Sequence, residues 1–365
     1  MKEPLFHIVR RTDLAIWKQW LIRIAAIVLA LVFSAVITIL MTHLNPLEVF
    51  YQLYLGSFGT QRKALLLFQG TAILLCIGLA VTPAFKMKFW NTGAEGQALA
   101  GAMATATVML KLGGVVPNAL LIPIMVLAAV VAGAIWGVIP ALFKARWNTN
   151  ETLFTLMMNY VAIQIVNYLV YIWAVPKGSG QLGIINSSTN AGWLPKLFGQ
   201  NYILNIVIVL VLAVLMFVYL RYTKHGYEIS VVGESMKTAK YIGINVRKVI
   251  VRTMILSGAI AGLAGFLIVA GTDHTVSSES IGGQGFTAIM VSWLAKFNPV
   301  MMLFSSLLIV FLQRGAGQIT MKFNLNKSFA DILTGIIIFF IIGCEFFINY
   351  RIIFRKHASK EEVTE

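Results

Sequence analysis

The sequence has little charge for its size. Charged residues make up 12% of the 365 residues, about half the share found in soluble globular proteins, while hydrophobic residues make up 58%. A chain of this length cannot hide so much apolar surface from water, so lipid must surround most of it. The composition excludes an ordinary water-soluble protein and predicts an integral membrane protein.

The motifs of catalysis and metal binding are also missing. The two cysteines, Cys76 and Cys344, each lie in an apolar run without the spacing of metal ligands. No phosphate-cradling loop of the form G-x-x-x-x-G-K-[ST] occurs, so ATP hydrolysis is not expected of this chain. The five histidines all lie outside the apolar runs, which leaves no obvious histidine proton relay. We predict no catalytic residue, no metal site and no cofactor in this chain.

The formal net charge of +15 is distributed as in a membrane protein. The basic residues lie in short connections between apolar runs and form no patch with aromatic stacking platforms, so no nucleic-acid partner is predicted. With the N-terminus inside the cell, 21 of the 29 Lys and Arg residues fall in inside connections, as the positive-inside rule requires. Both termini are therefore predicted to be cytoplasmic, with an even number of crossings.

Ten apolar segments predict an all-α fold, a polytopic transmembrane helical bundle. The stretch 281–313 is broken by Lys296, Asn298 and Pro299, and we interpret it as two shorter helices. The predicted domains are a cytoplasmic N-terminal segment 1–23, a transmembrane domain 24–350 with a cytoplasmic segment at 221–252, and a cytoplasmic tail 351–365. The predicted membrane segments are 24–41, 64–85, 92–110, 115–143, 152–175, 202–220, 253–272, 281–295, 299–313 and 332–350.

The heptapeptide NTGAEGQ at 91–97 opens the third segment and places a carboxylate between two glycines. A carboxylate at membrane depth must face protein or water, and glycine permits irregular backbone and close helix approach. One interpretation is a broken helix in which Asn91, Glu95 and Gln97 line a solute path. The other is a helix start at the cytoplasmic interface, where Glu95 complements the helix dipole.

The fifth segment follows a second polar motif. Asn150 or Thr149 is the predicted N-cap, with Glu151 in the first helical turn. Asn159 lies on the helix itself and is a candidate for the solute path, or else a residue that hydrogen-bonds between helices.

The heptapeptide SIGGQGF at 280–286 opens the eighth segment and resembles 91–97 in its glycines and glutamine. The two segments start on opposite membrane faces in the predicted topology. This suggests an inverted pair of halves, segments two to five and seven to ten, with a solute site between them near the midplane. Gln284 is then a further candidate for the solute path.

The segment 221–252 is the longest and most charged inside connection. A short helix is predicted at 233–243, with Ser235 as N-cap and Gly243 just past the C-terminus. This helix either docks into a groove on a cytoplasmic partner or is a basic loop held at anionic lipid. The residues selected for docking are Gly233, Glu234, Ser235, Ala239, Lys240, Tyr241 and Gly243.

Four motifs together resemble a known family. The stretches 91–97, 150–160, 232–245 and 256–265 follow one another as in bacterial ABC-importer permeases of the nucleoside and simple-sugar branch, which are related to branched-chain amino acid permeases. The resemblance covers about 64–347, and NTGAEGQ is most similar to the nucleoside subgroup. The chain departs from the family where Asn-Pro often follows the Glu of the cytoplasmic segment, because Ser235 and Met236 stand there.

The resemblance implies a multi-pass subunit of the bacterial cytoplasmic membrane. Its partners would be a second permease subunit, usually in a heterodimer, a cytoplasmic ATPase that uses ATP, and an extracytoplasmic substrate-binding lipoprotein. Trp90, Tyr160 and Phe286 near the neutral polar residues favour a nucleoside as solute. The alternatives are a simple-sugar or branched-chain amino acid permease, or an ion-coupled secondary transporter with Glu95 as its acid.

Overall fold

A computed structural model describes residues 6–11, 15–174 and 182–354. Long helices dominate this part of the chain, and a π-helical turn at Val269–Asp273 extends one of them. The helices are α1 (Ile16–Thr42), α2 (Pro46–Phe58), α3 (Gln61–Lys86), α4 (Ala94–Leu112), α5 (Asn118–Trp147), α6 (Glu151–Trp173), α7 (Ile203–Tyr222), α8 (Lys224–Glu234), α9 (Met236–Tyr241), α10 (Val246–Ile268), α11 (Gln284–Leu294), α12 (Pro299–Phe323) and α13 (Lys327–Asn349).

The all-α prediction is confirmed, and two short strands at the ends of the described part accompany the helices. Strand β1 (Phe6–Arg10) pairs antiparallel with β2 (Tyr350–Phe354), and Phe6 lies opposite Phe354. The predicted cytoplasmic tail 351–365 therefore begins as a strand, and its residues 355–365 lie outside the described part. The sequence pattern did not predict this pairing, because a five-residue strand is too short to show a clear apolar periodicity.

Each of the ten predicted membrane segments coincides with a helix. Eight helices are long and apolar enough to cross a membrane, namely α1, α3, α5, α6, α7, α10, α12 and α13. The other two predicted segments correspond to α4, with 19 residues, and α11, with 11 residues. Helix α2 was not predicted, although Asn45 caps it and Pro46 occupies its first position, both ordinary start signals.

The chain forms two compact units, Met1–Gly59 with Phe311–Glu365 and Thr60–Val310. In the described part of the first unit, α1 packs along α13, and Arg23 forms a 2.8 Å ion pair with Glu345. Its core includes Val49, Leu312 and Phe329. This unit therefore has its own apolar core and a partly buried ion pair between its helices.

The second unit, Thr60–Val310, is built around α3 and α10. These two helices are buried along most of their length, whereas much of α5, α6 and α7 is exposed. They run antiparallel, because Gln69 Nε2 donates to Thr272 Oγ1 at 2.6 Å while Cys76 Sγ lies 3.7 Å from the Ile260 carbonyl oxygen. The exposed apolar faces of the outer helices are those expected of helices in lipid.

Glycines bring α4, α5 and α10 into close contact. A Cβ on Gly101 would collide with the backbone of Gly262, and one on Gly133 would collide with the carbonyl oxygen of Gly258. Helices in lipid associate through such close packing, since burial from water is no longer available as a driving force. These three helices form a rigid support for the polar site beside them.

Candidate functional site

The turn between α3 and α4 is buried inside the second unit. Asn91 is fully buried, and its Nδ2 donates to the Ser257 hydroxyl at 3.0 Å. Ser257 is the middle residue of α10. Helix α4 therefore begins beside the middle of α10, a helix that is long enough to cross the membrane.

Asn91 and Gln97 hold this turn through their amides. Asn91 Nδ2 donates to Gln97 Oε1 at 3.2 Å, and Gln97 Nε2 donates to Asn91 Oδ1 at 3.2 Å. Asn91 Oδ1 also accepts the Gly93 N–H at 3.0 Å. Buried amides must be paired to avoid a desolvation cost of roughly 1–3 kcal/mol each. Both predicted pathway residues are thus engaged in shaping the backbone, and their contact with solute remains a prediction.

Asn159 on α6 fixes the same turn from the other side. Its Nδ2 donates to the Thr92 carbonyl at 2.8 Å, and its Oδ1 accepts the Gly96 N–H at 2.8 Å. The side chain is 3% exposed. Asn159 therefore acts as a bridge between α6 and the start of α4, the second of its two predicted roles.

The predicted cap of α6 is confirmed. Asn150 Oδ1 accepts the Leu153 N–H at 3.2 Å, and Glu151 lies in the first turn. Glu151 also forms a 2.8 Å ion pair with Lys144 at the end of α5. The cap and the ion pair set the position of α6, and hence of Asn159.

Glu95 connects the starts of two helices. It lies in the first turn of α4, and its two carboxylate oxygens accept the Gly283 N–H at 2.8 Å and the Gly285 N–H at 2.7 Å, at the start of α11. Helix N-termini carry partial positive charge and unpaired N–H groups, so one carboxylate serves both. Glu95 thus stabilises helix starts, as the second interpretation predicted, and it joins α4 to α11 inside the unit.

Glycine is required at two positions of this junction. Gly283 has a left-handed backbone, with φ of 77°. A Cβ on Gly285 would lie 2.6 Å from the Glu95 backbone nitrogen, too close for any larger residue without a shift of the backbone. The glycines of the 280–286 motif therefore permit the close approach of the two helices.

From their common start, α4 and α11 run in opposite directions. Helix α4 follows α10 toward the C-terminal end of α10, where Gly265 packs on Ala98. Helix α11 follows α3 toward the C-terminal end of α3, where the Trp293 and Phe85 rings are 6.3 Å apart. Since α3 and α10 are antiparallel, the two helices diverge from a point in the middle of the unit.

One polar and two aromatic side chains lie at opposite ends of α11. Gln284, at the start of α11, is half-buried, and its Oε1 is a buried atom without a hydrogen-bond partner within the described residues. Trp90 and Trp293 are each about half exposed, with ring centroids 5.8 Å apart. Trp293 was missed in the sequence because a tryptophan on an apolar helix carries no distinguishing local signal. The two indoles can stack on an uncharged ring.

The cytoplasmic segment differs in part from its prediction. The predicted helix 233–243 is two helices, because Gly233 and Glu234 end α8 and only Met236–Tyr241 forms α9. Ser235 interrupts them in an extended conformation and caps α9 by accepting the Thr238 N–H at 3.2 Å, which confirms its predicted cap.

Only part of the predicted docking set is accessible. Gly233 packs against the carbonyl oxygen of Lys86, and Ala239 is buried. Glu234 and Lys240 are exposed, and Tyr241 is 92% exposed. The buried residues attach the segment to the helix bundle, while the exposed ones are free to meet a partner.

An ion pair anchors α8 to α10. Arg252 donates to Glu228 at 2.8 Å, and this hydrogen bond holds the pKa of the Glu228 carboxyl below its ordinary value. Motion of the α8–α9 segment is thereby linked to α10, the helix that carries Ser257.

The part of the chain that is described holds no cluster of three or more His, Cys, Asp or Glu side chains able to bind a metal ion. Cys76 and Cys344 are both free thiols and both buried. Burial at these positions suits small apolar side chains.

One protein family matches most of the chain. Residues 63–342 match the family described as "Branched-chain amino acid transport system / permease component". No solved structure matches the chain.

Three relatives align over most of their length. The guanosine ABC transporter permease protein NupP of Bacillus subtilis is 30% identical over 88% of this chain and 92% of its own length. The nucleoside ABC transporter permease protein NupB of Lactococcus lactis is 28% identical, over 95% and 97%. The glucose ABC transporter permease protein TsgB13 of Haloferax volcanii is 28% identical, over 85% and 84%.

Proposed function

The chain belongs to the family of branched-chain amino acid transport system permease components, and we propose that the solute it carries is a nucleoside. It is an integral membrane permease subunit of an ABC importer and not an enzyme, since ATP is hydrolysed on a separate subunit of such transporters. The predicted family and membrane location are confirmed.

The state of Glu95 is the observation that supports a neutral solute. Both of its carboxylate oxygens already accept a backbone N–H and the side chain is 6% exposed, so it is poorly placed to bind an ammonium group. The Gln284 amide lies beside it at the start of α11, and the indoles of Trp90 and Trp293 lie near the other end of that helix. An amino acid would need opposite charges for its ammonium and carboxylate groups, whereas a nucleoside offers a ring for stacking and hydroxyls for the amide.

The relatives agree with this choice. Two of them are named for guanosine or nucleosides and one for glucose. A simple sugar remains the second candidate solute, because exposed indoles and amides also suit sugar rings.

The topology we propose has ten crossings and two inverted halves. The meeting of α4 and α11 at Glu95, and their opposite directions from it, support an inverted pair of helices that start inside the membrane. The distribution of basic residues supports cytoplasmic termini. The solute path then passes beside Gln284.

Transport would proceed by alternating access. ABC permeases work with an ATPase and a substrate-binding protein. We place the ATPase contact at the exposed residues Glu234, Lys240 and Tyr241. Closure of the ATPase would displace α9 and shift the bundle between two states. The remaining partners would be a second permease subunit, in a heterodimer, and a binding protein attached as a lipoprotein.

Uptake by a strain that lacks this chain tests the solute. Restoring the chain is expected to restore uptake of radiolabelled uridine and guanosine, and excess unlabelled nucleoside should compete where glucose and leucine do not. Vanadate should stop this uptake, because it inhibits ABC ATPases. If glucose competes and nucleosides do not, the chain is a sugar permease. If collapse of the proton gradient stops uptake and vanadate does not, it is a secondary transporter.

A further inference from the structure

Two adjoining cavities lie where the end of α5 meets the start of α10. One has a volume of about 600 Å³ and is lined mainly by polar and basic residues, among them Lys144 and Lys240. The other has a volume of about 980 Å³ and is mainly apolar. They share Arg146 and Arg247 as lining residues. A basic space and an apolar space therefore meet at two guanidinium groups.

Most of the positive charge at this place is not neutralised. Within the described residues, no Asp or Glu lines either cavity. Lys144 and Arg252 have acidic partners elsewhere, Glu151 and Glu228. The other four cations form no ion pair within the described part of the chain, and they are Arg146, Lys240, Arg247 and Lys248.

The direction of α10 adds to this unbalanced charge. Arg247 and Lys248 lie in its first turn, which contains no acidic residue. The N-terminus of a helix carries partial positive charge, so cations are unfavourable there and a bound anion is favourable. An anion between Arg146 and Arg247 would neutralise the two guanidinium groups and the helix start together.

The apolar cavity indicates what kind of anion fits. Phe143 and Ile255 line it and are 39% and 42% exposed, on helices long enough to cross a membrane. Trp147 is 60% exposed beside them, with the Arg146 guanidinium 5.2 Å from its ring centroid. Exposed tryptophan next to cations is typical of the membrane–water interface. A soluble anion would leave this groove unused, whereas the acyl chain of a lipid would fill it.

We propose that the two cavities form a binding site for an anionic phospholipid. The phosphate lies between Arg146 and Arg247, and an acyl chain follows Phe143 and Ile255. Basic pockets between membrane helices on the cytoplasmic side are suited to such headgroups. The bound lipid would hold the start of α10 against the end of α5, and its place in the cytoplasmic leaflet depends on the orientation proposed above.

The test compares lipids on the purified, delipidated importer complex in a neutral detergent. Phosphatidylglycerol is expected to raise the thermal midpoint, while phosphatidylcholine with the same acyl chains and free glycerol phosphate are not. The double variant Arg146→Gln with Arg247→Gln should weaken the apparent affinity for phosphatidylglycerol by about thirtyfold, since two cations are removed from the lipid headgroup. Lys88→Gln with Arg221→Gln, which removes two cations outside both cavities, should keep the response.

A second measurement is used if the Arg146, Arg247 variant assembles poorly. Native mass spectrometry of the complex with equal amounts of the two lipids should show retained phosphatidylglycerol in the wild type and in the Lys88, Arg221 control. Equal retention of both lipids, an equal effect of glycerol phosphate, or an unchanged response in the Arg146, Arg247 variant would each overturn the proposal. Absence of any lipid effect in the assembled importer would instead mean that another subunit covers the site, and would also overturn it.

Discussion

The turn at 91–97 and the segment at 233–243 are alike in composition and opposite in environment. Each has flanking glycines and one glutamate. Glu95 is 6% exposed and accepts two backbone N–H groups, whereas Glu234 is exposed at the end of α8. Burial therefore decides what a polar motif does. A buried polar group must find its hydrogen-bond partners within the protein, while an exposed one remains available to a partner protein.

The largest effect is expected from Glu95→Gln. The new amide can accept from only one of Gly283 and Gly285, and its NH₂ group faces the other donor. We expect a loss of about 2–4 kcal/mol in the free energy of unfolding and a matching loss of nucleoside uptake. Thermal unfolding of the purified protein in detergent measures the first quantity.

The matched control is Glu279→Gln, at an exposed acidic residue of the preceding loop. It should change stability by less than about 0.5 kcal/mol. If Glu95→Gln were as stable as this control, the carboxylate would not join the two helix starts.

A smaller effect is expected from Gly285→Ala. The added Cβ would lie 2.6 Å from the Glu95 nitrogen and 2.9 Å from its Cα, so the backbone of α4 or α11 must move. Overpacking of this kind costs roughly 1–3 kcal/mol. Unfolding measurements should show the loss in this variant and none in Gly317→Ala, where a Cβ meets nothing within 4 Å. Equal stability of the two variants would contradict the close approach of the helices.

The smallest effect on stability is expected from Glu234→Ala combined with Lys240→Ala. Both side chains are exposed, so the free energy of unfolding should change by less than about 0.5 kcal/mol. Uptake should nevertheless be lost while the partner ATPase continues to hydrolyse ATP. Lys237→Ala, also exposed on α9, is the control and should transport normally. Normal uptake by the double variant would remove the docking role of this segment.

Local signals predicted the helices well. Long apolar runs predicted ten of the helices. The caps at Asn150 and Ser235 could also be predicted, because each depends on a hydrogen bond between residues three apart in the sequence. Helix α2 was not predicted, because its 13 residues are too few for a membrane span. The first membrane segment was predicted to start at 24, while α1 starts at Ile16.

The contacts of the site depended on chain-distant residues. Glu95 meets Gly283 across 188 positions, and Asn91 meets Ser257 across 166. No periodicity or capping rule relates residues so far apart, since such rules describe one helix at a time. The resemblance of 91–97 to 280–286 was the one sign in the sequence that these two turns are related.

The shared carboxylate has a consequence for the membrane potential. Each helix start carries about half a positive charge, so two starts and one carboxylate sum to nearly zero. A single charge displaced through the membrane would exchange about 2.3 kcal/mol with every 100 mV of voltage. In the topology proposed above, a junction with no net charge exchanges almost none, so displacing it would cost little electrical work at any membrane voltage.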